Sequence, residues 1–406
     1  MTLSILLPQG NALERYTLRG SALAVPHAAA TAFNRIAYSA AHVVADPLAA
    51  HDPWLDSAID WDATIACRQR LWRLGLVVAE AMDTAQRGMG MDWPRSLELI
   101  RRSLDAARDF GAQGGTALVA SGCGTDHLLH EEVRSVDDVI RGYEMQMQAI
   151  EKLGGRLIIM ASRALARVAR GPADYERVYS RILSQAREPV ILHWLGDMFD
   201  PQLAGYWGSS SLDTAMDTAL GIIAAHPGKV DGIKISLLDK DREIAMRRRL
   251  PAHGGSDGQG VRMYTGDDFN YAELIAGDGH GTHVRHGRSD ALLGIFDAIA
   301  PAASAALAAL AQGDTARFHG ILGPTVPLSR HIFQAPTRFY KTGVVFMAWL
   351  NGHQSHFSMV GGQQSTRSLQ HLSELFRLAD AAGLLEHPEL AVQRMRALAF
   401  TYGVQA

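Results

Sequence analysis

Cysteine is scarce: Cys67 and Cys123 are the two thiols in 406 residues. Two thiols cannot build a disulfide framework or a cysteine-based zinc site, and such sparing use points to a reducing compartment. No run comes near the ~18 consecutive apolar residues that a membrane helix needs. The opening MTLSILLPQGN lacks the basic stretch of a secretory leader. Neither sign of charge is in excess, since 39 Lys and Arg against 42 Asp and Glu leave a formal charge of -3. That balance argues against nucleic-acid partners and against a basic membrane-surface role. The dinucleotide fingerprint GxGxxG and the zinc-protease pattern HExxH are missing too. These absences leave a cytoplasmic, globular chain as the expectation. At 47% apolar residues it can bury a sizeable core.

What is present is a recurring pattern. A hairpin signal (LSILLP, QGN, LERYTL) comes first. Short apolar runs follow: RIAYSAAHVV, LGLVVAEAM, GGTALVASG, RLIIMAS, PVILHWLG, DGIKIS, VRMYTGDD and HGTHVRHG. Helical stretches separate most of them, several opening with Pro or a Ser/Asp cap, as in PRSLELIRRSLDAARDFG and SLDTAMDTALGIIAAHPG. Nearly continuous apolar strands alternating with helices read as a parallel sheet buried on both faces. Eight of them predict closure into a (β/α)8 TIM barrel, an α/β fold, rather than an open sheet. The expected division is a hairpin and lead-in at 1–34, the barrel at 35–290, and a helical extension at 291–406 packed on the barrel. The Gly-rich AHGGSDGQG at 252–260 reads as a mobile loop.

In such a barrel the site is built at the C-terminal ends of the strands. Strand alternation in Asp231-Gly232-Ile233-Lys234-Ile235-Ser236 turns Ile233 and Ile235 to the helices and Lys234 to the interior. Burial lowers a lysine pKa and yields the free amine that attacks a carbonyl. His193, ending the fifth strand, is suited to proton relay near neutral pH. Glu80, Asp83 and Thr84 end the second strand. The turn at Gly122, Cys123 and Thr125 can present N–H groups to an anion. Arg163 can clamp a carboxylate, and Asp267 and His283 complete the rim as substrate contacts.

The stretch 189–196, then Gly232-Ile233-Lys234, Thr265-Gly266-Asp267-Asp268 and Gly279-His280-Gly281, resembles the dihydrodipicolinate synthase / N-acetylneuraminate lyase superfamily. That family orders a strand-five ILYNVP, a strand-six GIK lysine, a strand-seven GDD and a GGHG. The resemblance is clearest over about 175–290. It implies that Lys234 forms an imine with a keto substrate. The departures mark a divergent branch. The family's strand-five tyrosine falls on His193, and its second tyrosine falls near Ser162-Arg163. Its GTTGE loop falls on Ala79 to Thr84 without being preserved. Dihydrodipicolinate synthesis and straightforward sialic acid cleavage are therefore not expected.

The leading expectation is a Schiff-base lyase or aldolase acting on a keto acid or sugar-derived carbonyl by cleavage, condensation or dehydration, with no cofactor. His193 is its acid/base. A second reading is a barrel isomerase or hydrolase holding Zn or Mn with His42, Glu80, Asp83, His193, His283 and His286. A third is a sugar-acid binder without turnover. The segments AIAPAASAALAALA and VVFMAWL, rich in small and apolar residues, suggest a homo-oligomer interface.

Overall fold

The computed structural model describes residues 3–20, 22–24, 31–129 and 131–404. Of the lead-in expected within 1–34, residues 1, 2, 21 and 25–30 lie outside the described residues. β1 (Ser4–Gln9) and β2 (Ala12–Thr17) form the expected antiparallel hairpin, with Gln9 paired to Ala12. Asp380, from the far end of the chain, accepts the Tyr16 hydroxyl at 2.6 Å and the Arg19 N–H at 2.8 Å. The hairpin is thus pinned to the C-terminal helices.

Eight parallel strands close the barrel: β3 (Ala37–Ala40), β4 (Val77–Glu80), β5 (Val119–Cys123), β6 (Arg156–Ile159), β7 (Val190–Leu195), β8 (Val230–Ser236), β9 (Arg262–Thr265) and β10 (Asp290–Leu293). They follow one another in chain order, and β10 returns to pair with β3. The helices that cover them are α1 (Trp61–Arg73), α2 (Trp93–Ala112), α3 (Val136–Lys152), α4 (Arg163–Val168), α5 (Pro172–Gln185), α6 (Leu212–Ala225), α7 (Lys240–Arg247) and α8 (Tyr271–Ala276). Asp92, Ser135 and Ser211 each cap a helix by accepting a backbone N–H, and Ser135 with Asp138 makes a reciprocal box.

Alternation sorts the side chains. Tyr38, Ala40, Ala79, Ala120, Ile158, Ile191, Tyr264 and Leu292 fill the interior. Val78, Ile159, Leu192, Ile233 and Ile235 pack outward among the helices. Gly232 is demanded by this packing, because a Cβ there would meet the Tyr264 ring at 2.6 Å.

The eighth strand is not where the sequence pattern placed it. HGTHVRHG is a loop ending in a single 3-10 turn, Val284–Gly287, on the face where strands begin. The strand is Asp290–Leu293, so a boundary at 290 cuts through it. The Gly-rich stretch 252–260 is tied down on that same face. Gly255 N–H donates to the Pro227 carbonyl at 3.0 Å, Gly260 N–H to that of Gly254 at 2.9 Å, and Asp257 pairs with Arg262 and Arg285.

Beyond the barrel run α9 (Ile295–Ala298), α10 (Ala300–Ala311), α11 (Thr315–Leu322), α12 (Val326–Ile332), α13 (Tyr340–Leu350), α14 (Leu369–Ala381) and α15 (Pro388–Thr401). Every residue of α13 and nearly all of α10 are buried within this one chain. The two apolar segments read as an oligomer interface therefore cover the protein's own core and offer no such face. No helix among the described residues is long and apolar enough to cross a membrane.

Candidate active site

Lys234 stands in register with His193 across β7 and β8, and in parallel strands both side chains enter the barrel. Gly266, one residue past β9, leaves the room. A Cβ there would meet Ser236 Oγ at 2.4 Å and Lys234 Cε at 2.8 Å. Lys234 is 8% exposed and, among the described residues, no carboxylate comes within ion-pairing distance of its amine. Burial lowers its pKa, while Asp268 and Asp83 pull it back up. Asp268 responds in the opposite sense: burial raises it to about 7, against the pull of Lys234 and the Ile295 N–H it accepts at 3.0 Å. An amine and a carboxyl that burial shifts toward their neutral forms thus interact with each other.

His193 places Nε2 3.3 Å from Ser236 Oγ, and its buried Nδ1 has no hydrogen-bond partner. Burial, then the Lys234 charge, hold its pKa well below the ordinary value. That shift holds the ring toward its neutral form, in which it can accept a proton.

A cavity of about 500 Å³ opens over the ends of β5, β6 and β7, lined by Asp83, Thr125, Arg163, His193 and Asp200 among others. Lys234 is not on its wall but stands next to His193, one strand farther round. Thr125 and Ser162 share a hydroxyl hydrogen bond of 2.6 Å, and Arg163 is paired with Asp200. Gly122 keeps its place for packing: a Cβ would meet the Ala81 carbonyl at 2.7 Å, and its own carbonyl accepts from Arg87.

Other expected residues fall elsewhere. Glu80 faces outward, in a fully buried ion pair with Arg68 of α1 at 2.9 Å, and accepts from Ser103. Cys123 also faces the helices, and burial pushes its thiol well up, away from reactivity. Thr84 is occupied by the Tyr340 hydroxyl at 2.7 Å. Asp267 turns back on its own loop, accepting from Phe269 and Asn270 N–H at 2.9 and 3.0 Å. His283 lies on the opposite face with its loop, capping the 3-10 turn at Arg285.

The metal constellation does not assemble. His42 is buried against Asp297 at 2.7 Å, and despite burial that carboxylate raises its pKa to about 10. Glu80 is held by Arg68, and His283 and His286 share the opposite face. Among the described residues no three His, Cys, Asp or Glu side chains gather as a metal site.

The sequence reading missed Asp268, Tyr340 and Lys341. Counting by twos from Tyr264 through Gly266 reaches Asp268, so alternation carried that signal. Tyr340 and Lys341 come from the C-terminal extension, and nothing local ties them to the barrel mouth.

The profile of a family described as "Protein of unknown function (DUF993)" matches residues 5–404. The chain belongs to that family. No curated protein matches it. This DUF993 chain is similar to YagE, a prophage protein belonging to the dihydrodipicolinic acid synthase family from E. coli K12, solved in complex with pyruvate. The TM-score is 0.59 at 12% identity over 92% of this chain and 100% of that one. It is similar to the 4-hydroxy-tetrahydrodipicolinate synthase of Methylacidiphilum fumariolicum SolV, with TM-score 0.59, 13% identity, and 89% and 99% coverage. The dihydrodipicolinate synthase of Oceanobacillus iheyensis gives TM-score 0.56 at 14% identity, covering 84% and 95%. The resemblance drawn from the sequence motifs is met in the fold, at identities that mark wide divergence.

Proposed function

We propose that this protein is a Schiff-base-forming lyase or aldolase acting on a small keto acid. The observation that carries the reading is Lys234: a lysine inside the barrel near the C-terminal end of β8, buried, shifted toward its neutral amine and, among the described residues, without an ion-pair partner. The amine adds to the keto carbon, and loss of water leaves a protonated imine. That imine draws electrons from the adjacent carbon, so a bond there can break or form. His193, neutral with a free Nδ1, takes the proton released beside the imine. Asp268, poised near neutral pH, is suited to return it. The Thr125 hydroxyl and Arg163 line the cavity where a carboxylate or hydroxyls would lie. The pyruvate held by the YagE structure supports a keto acid as the substrate class.

Kinetics of variants test the assignment. Lys234→Ala should lose at least ~10³-fold in turnover, the scale of losing a nucleophile, with an unchanged melting curve. His193→Phe should still form the imine but release product slowly. A fully active Lys234→Ala protein would overturn the reading, as would activity that a chelator removes and a divalent metal restores.

A further inference from the structure

We propose that the keto acid carries a second anionic group, received by Lys341 and Arg338 where the C-terminal extension meets the barrel mouth. The inference rests on the Schiff-base reading and names its substrate class. The cavity above His193 continues into a second lobe of about 420 Å³ that runs to Arg338, Tyr340 and Lys341. Asp83, Arg163 and Leu195 line both lobes.

Lys341 is 3% exposed, and its Nζ donates to the Arg338 carbonyl at 2.9 Å and to Met89 Sδ at 3.3 Å. Both acceptors are neutral. Among the described residues no carboxylate comes within ion-pairing distance of Lys341 or Arg338. The other cations of the lobe are already matched: Asp126 takes Arg87, and Asp200 takes Arg163. Asp83 is the remaining acid, and its field is divided between Lys234 and Lys341. Within the lobe, and among the described residues, Lys341 and Arg338 thus face one carboxylate without an ion pair, that of Asp83, so the lobe is short of one negative charge. A buried ammonium with neutral partners only is costly. Its pKa is lowered by burial to about 8, in accord with that cost. A monoanionic keto acid spends its carboxylate near Lys234 and leaves this cost in place. A dianion reaching across the shared wall removes it.

The test traps the imine with borohydride using pyruvate as monoanion and oxaloacetate, 2-oxoglutarate and 2-oxoadipate as dianions. At least one dianion should reach half-trapping at a concentration tenfold or more below that of pyruvate. Lys341→Met should collapse that ratio, and Lys341→Arg should keep most of it. Arg338→Gln, at an exposed position where folding is not at risk, should reduce it. Equal half-trapping concentrations in the unaltered protein, or a ratio untouched by both Lys341→Met and Arg338→Gln, would overturn the subsite. Glutarate, which has no keto group, separates the two claims. It should raise the melting temperature of the Lys234→Ala protein, and Lys341→Met should abolish the rise. If no keto acid is trapped while that rise persists, the imine fails and the anion site stands. Trapping without any preference for dianions gives the reverse.

Discussion

Lys234 stands among groups that pull its proton affinity in opposite directions. Burial favours the amine, and the carboxylates of Asp268 and Asp83 favour the ammonium. Asp268→Asn removes one of the opposing pulls, so the amine should be freed at lower pH. The acid limb of the rate of imine trapping is expected to move downward in pH. The difference should be confined to pH above about 7, since below it Asp268 is itself protonated and the amide resembles it. An unmoved profile would mean that Asp268 does not face the lysine. The same scale shows why some residues were legible and others were not. Alternation alone turns Lys234 inward and, carried from Ala79 and Ala120, turns Glu80 and Cys123 outward. Reading the rim by sequence proximity instead put both in the site, and favoured Asp267 over Asp268.

At the scale of elements, a strand of four residues is easily hidden. Asp290–Leu293 runs through Gly294 into the α9 and α10 segment without a polar turn, so ALLGIFDAIAPAASAA carries a helical rather than a strand signal. HGTHVRHG lies at the right spacing and carries alternating polar residues, yet its backbone is bound as a loop. The other seven strands were legible because each apolar run is bounded by turn residues. β4 is locked to α1 by the Glu80–Arg68 pair, with both side chains fully buried and Arg68 also donating to the His42 carbonyl. Removing one partner strands the other charge. Arg68→Ala is therefore expected to cost about 3–5 kcal/mol of stability. Urea unfolding measures it, and a loss under about 1 kcal/mol, the level of an exposed pair, would contradict the burial.

For the molecule as a whole, the extension is part of the barrel rather than an appendage. Asp297 of α9 binds His42 beyond β3, Tyr340 of α13 binds Thr84 beyond β4, and Asp380 of α14 holds the hairpin. A fragment ending at 293 would expose the barrel surfaces against which α10 and α13 pack, and it is expected to show no cooperative thermal transition in calorimetry. A fragment that melts cooperatively would make the extension a separate unit. These long-range contacts were the least legible part, because helical periodicity tells which face is apolar but not what it covers.

The central claim is that Lys234 attacks a keto acid, and the most direct measurement is peptide mass mapping after borohydride reduction with a panel of keto acids, with and without a chelator. The account predicts one reduced adduct, located on Lys234, formed equally in both conditions and absent from Lys234→Ala. An adduct on another lysine, or turnover of a substrate with no trapped adduct, would contradict it.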